Sequence, residues 1–136
     1  MDQGFEAYEY YCRGHELLES RDFRAASVAL ERAKRLEPNK GSIREALGRA
    51  YLAAEQYPQA DSEFDRCLKR RGEAFALGLD EEPTYAYFPP VLYYQGRVRE
   101  ALKSTRFADS YRAYLSLRGK SKEDAIAADA RKRVGG

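Results

Sequence analysis

Tryptophan is absent from this chain, and histidine, methionine and cysteine nearly so: one His, one Met and two Cys stand among 136 residues. The single imidazole, His15, cannot build a paired-histidine site or a multi-ligand metal centre. Cys12 and Cys67 are too few for a disulfide framework and read as reduced thiols in helical sequence. No apolar run approaches the ~20 residues of a membrane span. The start, Met1-Asp2-Gln3-Gly4, has no basic region and no apolar stretch of a leader, so a cytoplasmic protein with no membrane partner is expected. Charge of one sign is also missing. With 24 Lys and Arg against 22 Asp and Glu the net charge is +2, too even for a nucleic-acid binder. P-loop, GxSxG and HExxH patterns are lacking, and the Cys12 to His15 pair has no Asn or Asp to orient it. No catalytic residue, metal or cofactor is expected, and the chain reads as non-enzymatic.

What is present is repetition. Tyr10, Arg13-Gly14, Leu17, Ala26, Leu30 and Pro38 recur 34 residues later as Arg44, Leu47-Gly48, Tyr51, Ala60, Phe64 and Gly72. Small residues fall on small ones and large on large, the signature of a helical array in which each unit buries its face on the next. Gly14, Ala26, Gly48 and Ala60 would let antiparallel helices approach closely, with Leu17, Leu30, Tyr51 and Phe64 filling the space around them. Cys67 stands 34 residues after Ala33 and is expected at a small buried position.

These spacings resemble the tetratricopeptide repeat, whose pattern is W-x2-L-G-x2-Y, then A-x3-F, then P. The match covers about residues 7 to 74; the first copy has Arg13 for the usual Leu, and the second has Arg44 and Gly72 at its ends. The resemblance implies an all-α, right-handed superhelical array of antiparallel helix pairs, and a protein–protein interaction function.

Along the chain, a first helix is expected over 5–19 and a second from Phe23 to about Leu36, stopped at Pro38. Ser42 with Glu45 forms a capping-box pattern for a third helix ending near Ala54. A fourth, with Pro58 in its first turn, is expected to end near Arg71-Gly72. The period then breaks, because the next equivalent glycine is Gly96 and not residue 82. Phe75, Leu77 and Leu79 suggest an ordered insertion over about 75–88. Two registers compete beyond it. One starts a fifth helix at Pro89-Pro90, turns at Lys103-Ser104-Thr105, and places Ser110 at the small position of a sixth helix. The other aligns Leu92 with Tyr51 and sets both prolines inside a helix at a cost of ~3 kcal/mol or more, so the first is preferred. The division is then repeat one over about 7–40, repeat two over 41–74, a divergent third over 89–118, and a capping helix over 121–134. Ser121 with Asp124 is a capping pattern for that last helix, and Arg131, Lys132 and Arg133 suit its C-terminal dipole.

In the family resembled, the first helix of each pair lines a concave groove that takes peptides. Around the motif glycines this places His15, Arg49 and Arg97 in one column and Tyr11, Glu45 and Tyr93 in another, with Tyr8 and Tyr94 beside them. Guanidinium pairs with carboxylate and the rings supply stacking area, so a protein or peptide partner of acidic character is expected there. Two blander readings compete: Glu45 four residues before Arg49 can occupy it, and Tyr93 and Tyr94 can pack under the insertion. The carboxylate clamp of chaperone-binding relatives is not reproduced, since Tyr11 and His15 stand where Lys and Asn would be wanted. The insertion and Pro-Pro start resemble bacterial multidomain tetratricopeptide proteins, some linked to Ser/Thr kinases, which implies a regulatory or sensor module as the alternative. Self-association through the tyrosine-rich surface is a third reading, with a monomer or weak dimer as the expected state.

Overall fold

The structure, a computed structural model, describes residues 3–77, 88–118 and 124–135, with side chains at 4–69, 90–118 and 124–135. Among the described residues every regular element is a helix: α1 (Gln3–Glu19), α2 (Phe23–Leu36), α3 (Gly41–Ala53), α4 (Tyr57–Leu77), α5 (Phe88–Ala101), α6 (Phe107–Arg118) and α7 (Ala125–Arg133). Helices α1 and α2, α3 and α4, and α5 and α6 form antiparallel pairs, and α2 packs on α3 as α4 packs on α5. The odd-numbered helices also touch in sequence, α1 to α3, α3 to α5 and α5 to α7, so one side of the stack is built from them alone.

The small residues work as the repeat implies. Ala26, Ala60, Leu30 and Phe64 are fully buried, and a Cβ on Gly48 would come within 2.5 Å of the Phe64 ring. Gly14 abuts Leu30 and Gly96 abuts Tyr111 in the same way. Cys67 is buried with its Sγ 3.5 Å from the Gly41 carbonyl oxygen, and neither cysteine is in a disulfide. Three pair turns share one construction. Arg21, Glu55 and Lys103 each take a left-handed φ of 60–66°, and the next amide donates back to the carbonyl five residues earlier, Asp22 to Leu17, Gln56 to Tyr51 and Ser104 to Arg99.

Several boundaries differ from the sequence reading. Helix α3 starts at Gly41 with Lys40 at its N-cap, so Ser42 lies inside the first turn, and the Glu45 carboxylate turns to Arg49 instead of closing a capping box. Helix α4 continues past Gly72 to Leu77, because one glycine in the interior of a helix costs only about 1 kcal/mol. Residues 78–87 of the expected insertion lie outside the described residues, as do the side chains of Phe75 and Leu77. Helix α7 is capped by Asp124, whose carboxylate accepts the Ala127 amide at 2.8 Å; Ser121 lies outside the described residues. Helix α5 begins at Phe88, with both prolines in its first turn, where no backbone donor is needed.

The first helix differs from its repeats on one side. Ile43, Leu47 and Ala50 of α3 are buried against α2, and Val91, Gln95 and Val98 of α5 against α4. The same positions of α1 hold Glu9, Arg13 and Glu16, all exposed. Charge there makes a solvated end face in place of another helix seam.

Candidate functional site

The side formed by α1, α3, α5 and α7 carries a ladder of basic residues, each held by the residue one helical turn before it. On α1 the His15 ring meets Tyr11 edge-on, with centroids 4.6 Å apart. On α3 Arg49 Nε lies 2.7 Å from Glu45 Oε1, near enough to pair as charges, though no acceptor is in line with its N–H. On α5 Arg97 Nη1 donates to the Tyr93 hydroxyl at 3.2 Å and the guanidinium sits over that ring, 6.0 Å from its centroid. On α7 Arg133 Nε donates to Asp129 Oδ2 at 2.5 Å. The i to i+4 spacing sets each pair one above the other on a single helix face. The fourth rung, Asp129 with Arg133, is the one that sequence reasoning missed. Arg133 lies in the last turn of α7, where it suits the helix dipole, and it also reaches sideways to Glu100 of α5 at 3.1 Å.

The rungs are tied to one another. Tyr93 donates its hydroxyl to Asp129 at 2.6 Å, and Tyr111 donates to the same Glu100 oxygen that Arg133 uses. The Arg49 guanidinium lies over the Tyr94 ring at 5.7 Å, and that ring stacks on Phe64 with centroids 6.1 Å apart. A cleft of about 520 Å³ opens between α3, α5, α7 and the start of α4, with Arg49, Tyr94, Arg97 and Arg133 in its wall beside Leu52, Tyr57 and Glu100. Glu55 stands at its rim. Arg97 differs from the other two guanidiniums because its acceptor, a phenol, carries no charge, and among the described residues no carboxylate pairs with it.

Not all eight expected residues reach this surface. Tyr93 is 4% exposed and packs with Tyr111 and Tyr114 under α7, so its ring is part of the core and only its hydroxyl serves the ladder. Glu45 is likewise buried and acts from behind Arg49. Tyr11 is half-buried against the Leu30 and Leu47 cluster. Tyr8 is 63% exposed but lines a different cleft on the outward side of α1, beside Phe5 and Cys12. Tyr94, Arg49 and Arg97 meet in one cleft; His15 stands beside Arg49 at the α1 end.

Electrostatics follow from that packing. Burial pushes the Glu45 carboxyl above its ordinary value against the pull of Arg49. Burial, with the Arg49 charge added, holds His15 below its ordinary value, and its Nε2 is enclosed without a hydrogen-bond partner. Burial raises the Asp129 carboxyl, but the hydrogen bonds from Tyr93 and Arg133 outweigh it and the net direction is down. The arrangement presents charged donors and ring faces. Among the described residues no three His, Cys, Asp or Glu side chains are grouped to hold a metal ion, and no helix is long and apolar enough to cross a membrane.

No family model and no curated protein matches the chain. A solved structure, described as the Arabidopsis OM64 TPR domain, aligns with 98% of this chain and 97% of its own length, at a TM-score of 0.77 and 15% identity. At that identity the likeness is one of fold, an all-α array of the tetratricopeptide type.

Proposed function

We propose, with the tetratricopeptide fold as the premise, that this chain is a non-enzymatic protein-interaction module whose groove along α1, α3, α5 and α7 holds an extended, acidic segment of a partner protein. The observation that carries the reading is the ladder itself. Four basic side chains stand on successive helices of one side, each fixed by the residue four before it, and three of them line one cleft with Tyr94. Arg49 and Arg97, each held by one neighbour on its own helix, keep further donors for a carboxylate. Fluorescence anisotropy with acidic peptides, comparing the wild type with an Arg49→Ala, Arg97→Ala double variant, tests this. Affinity should fall about tenfold or more in the variant, and wild-type binding should weaken with salt. Equal affinities, or no salt dependence, would remove the groove reading.

One observation favours a second reading, self-association. Phe5, Tyr8 and Val28 are more than half exposed at the α1 and α2 end of the array. The charges of Glu9, Arg13 and Glu16 on the same end work against a large dry contact. Light scattering at about tens of micromolar decides it, the range in which a modest interface would hold; a monomer there ends the idea.

A further inference from the structure

Three guanidiniums line the cleft, and two of them pair with carboxylates of the chain, Arg49 with Glu45 and Arg133 with Asp129 and Glu100. The third, Arg97, bonds to a phenol, and that phenol is itself held. Arg97 Nη1 donates to the Tyr93 hydroxyl at 3.2 Å, and the hydroxyl donates to Asp129 Oδ2 at 2.6 Å. A phenol has one proton to give and lone pairs to receive. With the proton committed to Asp129, the Tyr93 oxygen meets Arg97 as an acceptor; turned the other way, the same hydroxyl would set its proton against the guanidinium N–H. Burial, with the bond to Asp129 added, raises the Tyr93 phenol above its ordinary value, so it keeps that proton.

Neither holder is loose. The buried Tyr93 ring sits among Tyr94, Tyr111 and Tyr114, with centroids 5.1–5.9 Å away. Asp129 accepts from Arg133 Nε at 2.5 Å, and Arg133 Nη1 reaches Glu100 at 3.1 Å, where the Tyr111 hydroxyl also donates at 2.8 Å. Five hydrogen bonds thus run from α6 through α7 to the one guanidinium in the cleft that ends on no carboxylate of the described residues.

We infer that Tyr93 and Asp129 are positioning residues for Arg97: Asp129 takes the phenol proton, and the freed oxygen holds the guanidinium toward the cleft for a carboxylate of the partner. The inference rests on the groove reading above and adds the buried groups that set its central cation. Helix α7 then does more than cover the last seam, because its Asp129 orients a residue that the partner touches. Charge alone predicts the opposite sign. Asp129 is an anion close enough to Arg97 to feel its charge, so removing it would raise the affinity for an acid if no positioning were involved.

The test uses the full chain and a labelled peptide of Glu and Ala, titrated by fluorescence anisotropy, with circular dichroism and melting temperature confirming that each variant folds. Tyr93→Phe keeps the ring and removes the hydroxyl, and it should weaken binding about threefold to tenfold. Asp129→Ala should do the same, and Asp129→Asn, whose amide oxygen still accepts the phenol proton, should restore most of the loss. Both losses should vanish in an Arg97→Ala background and persist in an Arg49→Ala background. Wild-type affinity in Tyr93→Phe overturns the inference and, where Arg97→Ala still weakens binding, leaves the groove standing. Tighter binding by Asp129→Ala overturns it too, as does an Asp129→Asn loss equal to that of Asp129→Ala. A loss that survives Arg97→Ala also overturns it and marks a shift of α7 as a whole. No binding of the peptide by the wild type overturns both readings. Tyr93→Phe decides alone should an Asp129 variant fail to fold.

Discussion

Phe64 shows how much a single contact carries in this fold. Its ring fills the hollow that Gly48 leaves, and any Cβ at 48 would meet three ring atoms at 2.5–2.8 Å. Because the ring is fully buried, it cannot swing aside. Gly48→Ala should therefore lower stability by about 1–3 kcal/mol through overpacking, read as a lower midpoint in a urea titration; an unchanged midpoint would mean the seam is looser than drawn. His15 gives a second, pH-dependent expectation. Its folded pKa is depressed by burial and by Arg49, with Glu19 opposing, so the unfolded chain binds the proton first as pH falls. The stability it lends when neutral is present above about pH 6.5 and is lost as pH falls through the lowered folded value. Glu45 has the opposite sign, because burial raises its folded pKa; its contribution is full at low pH and lost as pH rises through the raised value. His15→Gln should flatten the fall in Tm between neutral pH and about pH 5. A slope identical to wild type would show that the imidazole is not the group responsible.

At the scale of elements, the turns and the buried charges fix how helices meet. Each pair turn places a non-glycine residue in the left-handed region, which costs about 1–2 kcal/mol relative to the right-handed conformation. Glu55 is exposed there, and its backbone alone makes the turn. Glu55→Gly should raise stability by about 0.5–1 kcal/mol, checked by denaturant midpoint; a loss would mean that the side chain has a role beyond the turn. Between pairs, Glu63 of α4 accepts from Lys34 of α2 at 2.8 Å and from Arg44 of α3 at 2.9 Å, so one buried carboxylate ties three helices. Arg44 stands where the repeat pattern has an aromatic residue. The departure from the pattern is thus matched by a partner 19 residues on, which no local motif announces.

Over the whole molecule the array is stabilised by nearest neighbours, and its ends differ. Helices α3 and α4 have neighbours on both sides, whereas among the described residues α7 packs on α5 and α6 at one end. Hydrogen exchange should find the amides of α3 and α4 the most protected and those of α7 opening first. Protection of α7 equal to α3 would require a further contact. Early opening of α7 would bear on the proposed groove, since Asp129 and Arg133 form the last rung and bond to Tyr93 and Glu100. Ligand bound across Arg97 and Arg133 would slow that opening by the same linkage that gives it affinity.

The sequence by itself determined the helices, their pairing, and the residues on the pair seams. The 34-residue period copies each local contact, so Gly14 with Leu30 predicts Gly48 with Phe64. It also placed His15, Arg49 and Arg97 on one side, since those positions share an offset from the motif glycine. Only the tertiary structure decided which tyrosines belong to the core and which residues line the cleft. Tyr93 and Tyr94 are adjacent in sequence, yet one is core because α7 covers it and the other lines the cleft. Arg133 lies outside the period, and it joins the ladder because α7 packs beside α5 and turns the Asp129 edge toward Tyr93. Such lateral contacts depend on where a helix lands, which spacing within one repeat does not encode.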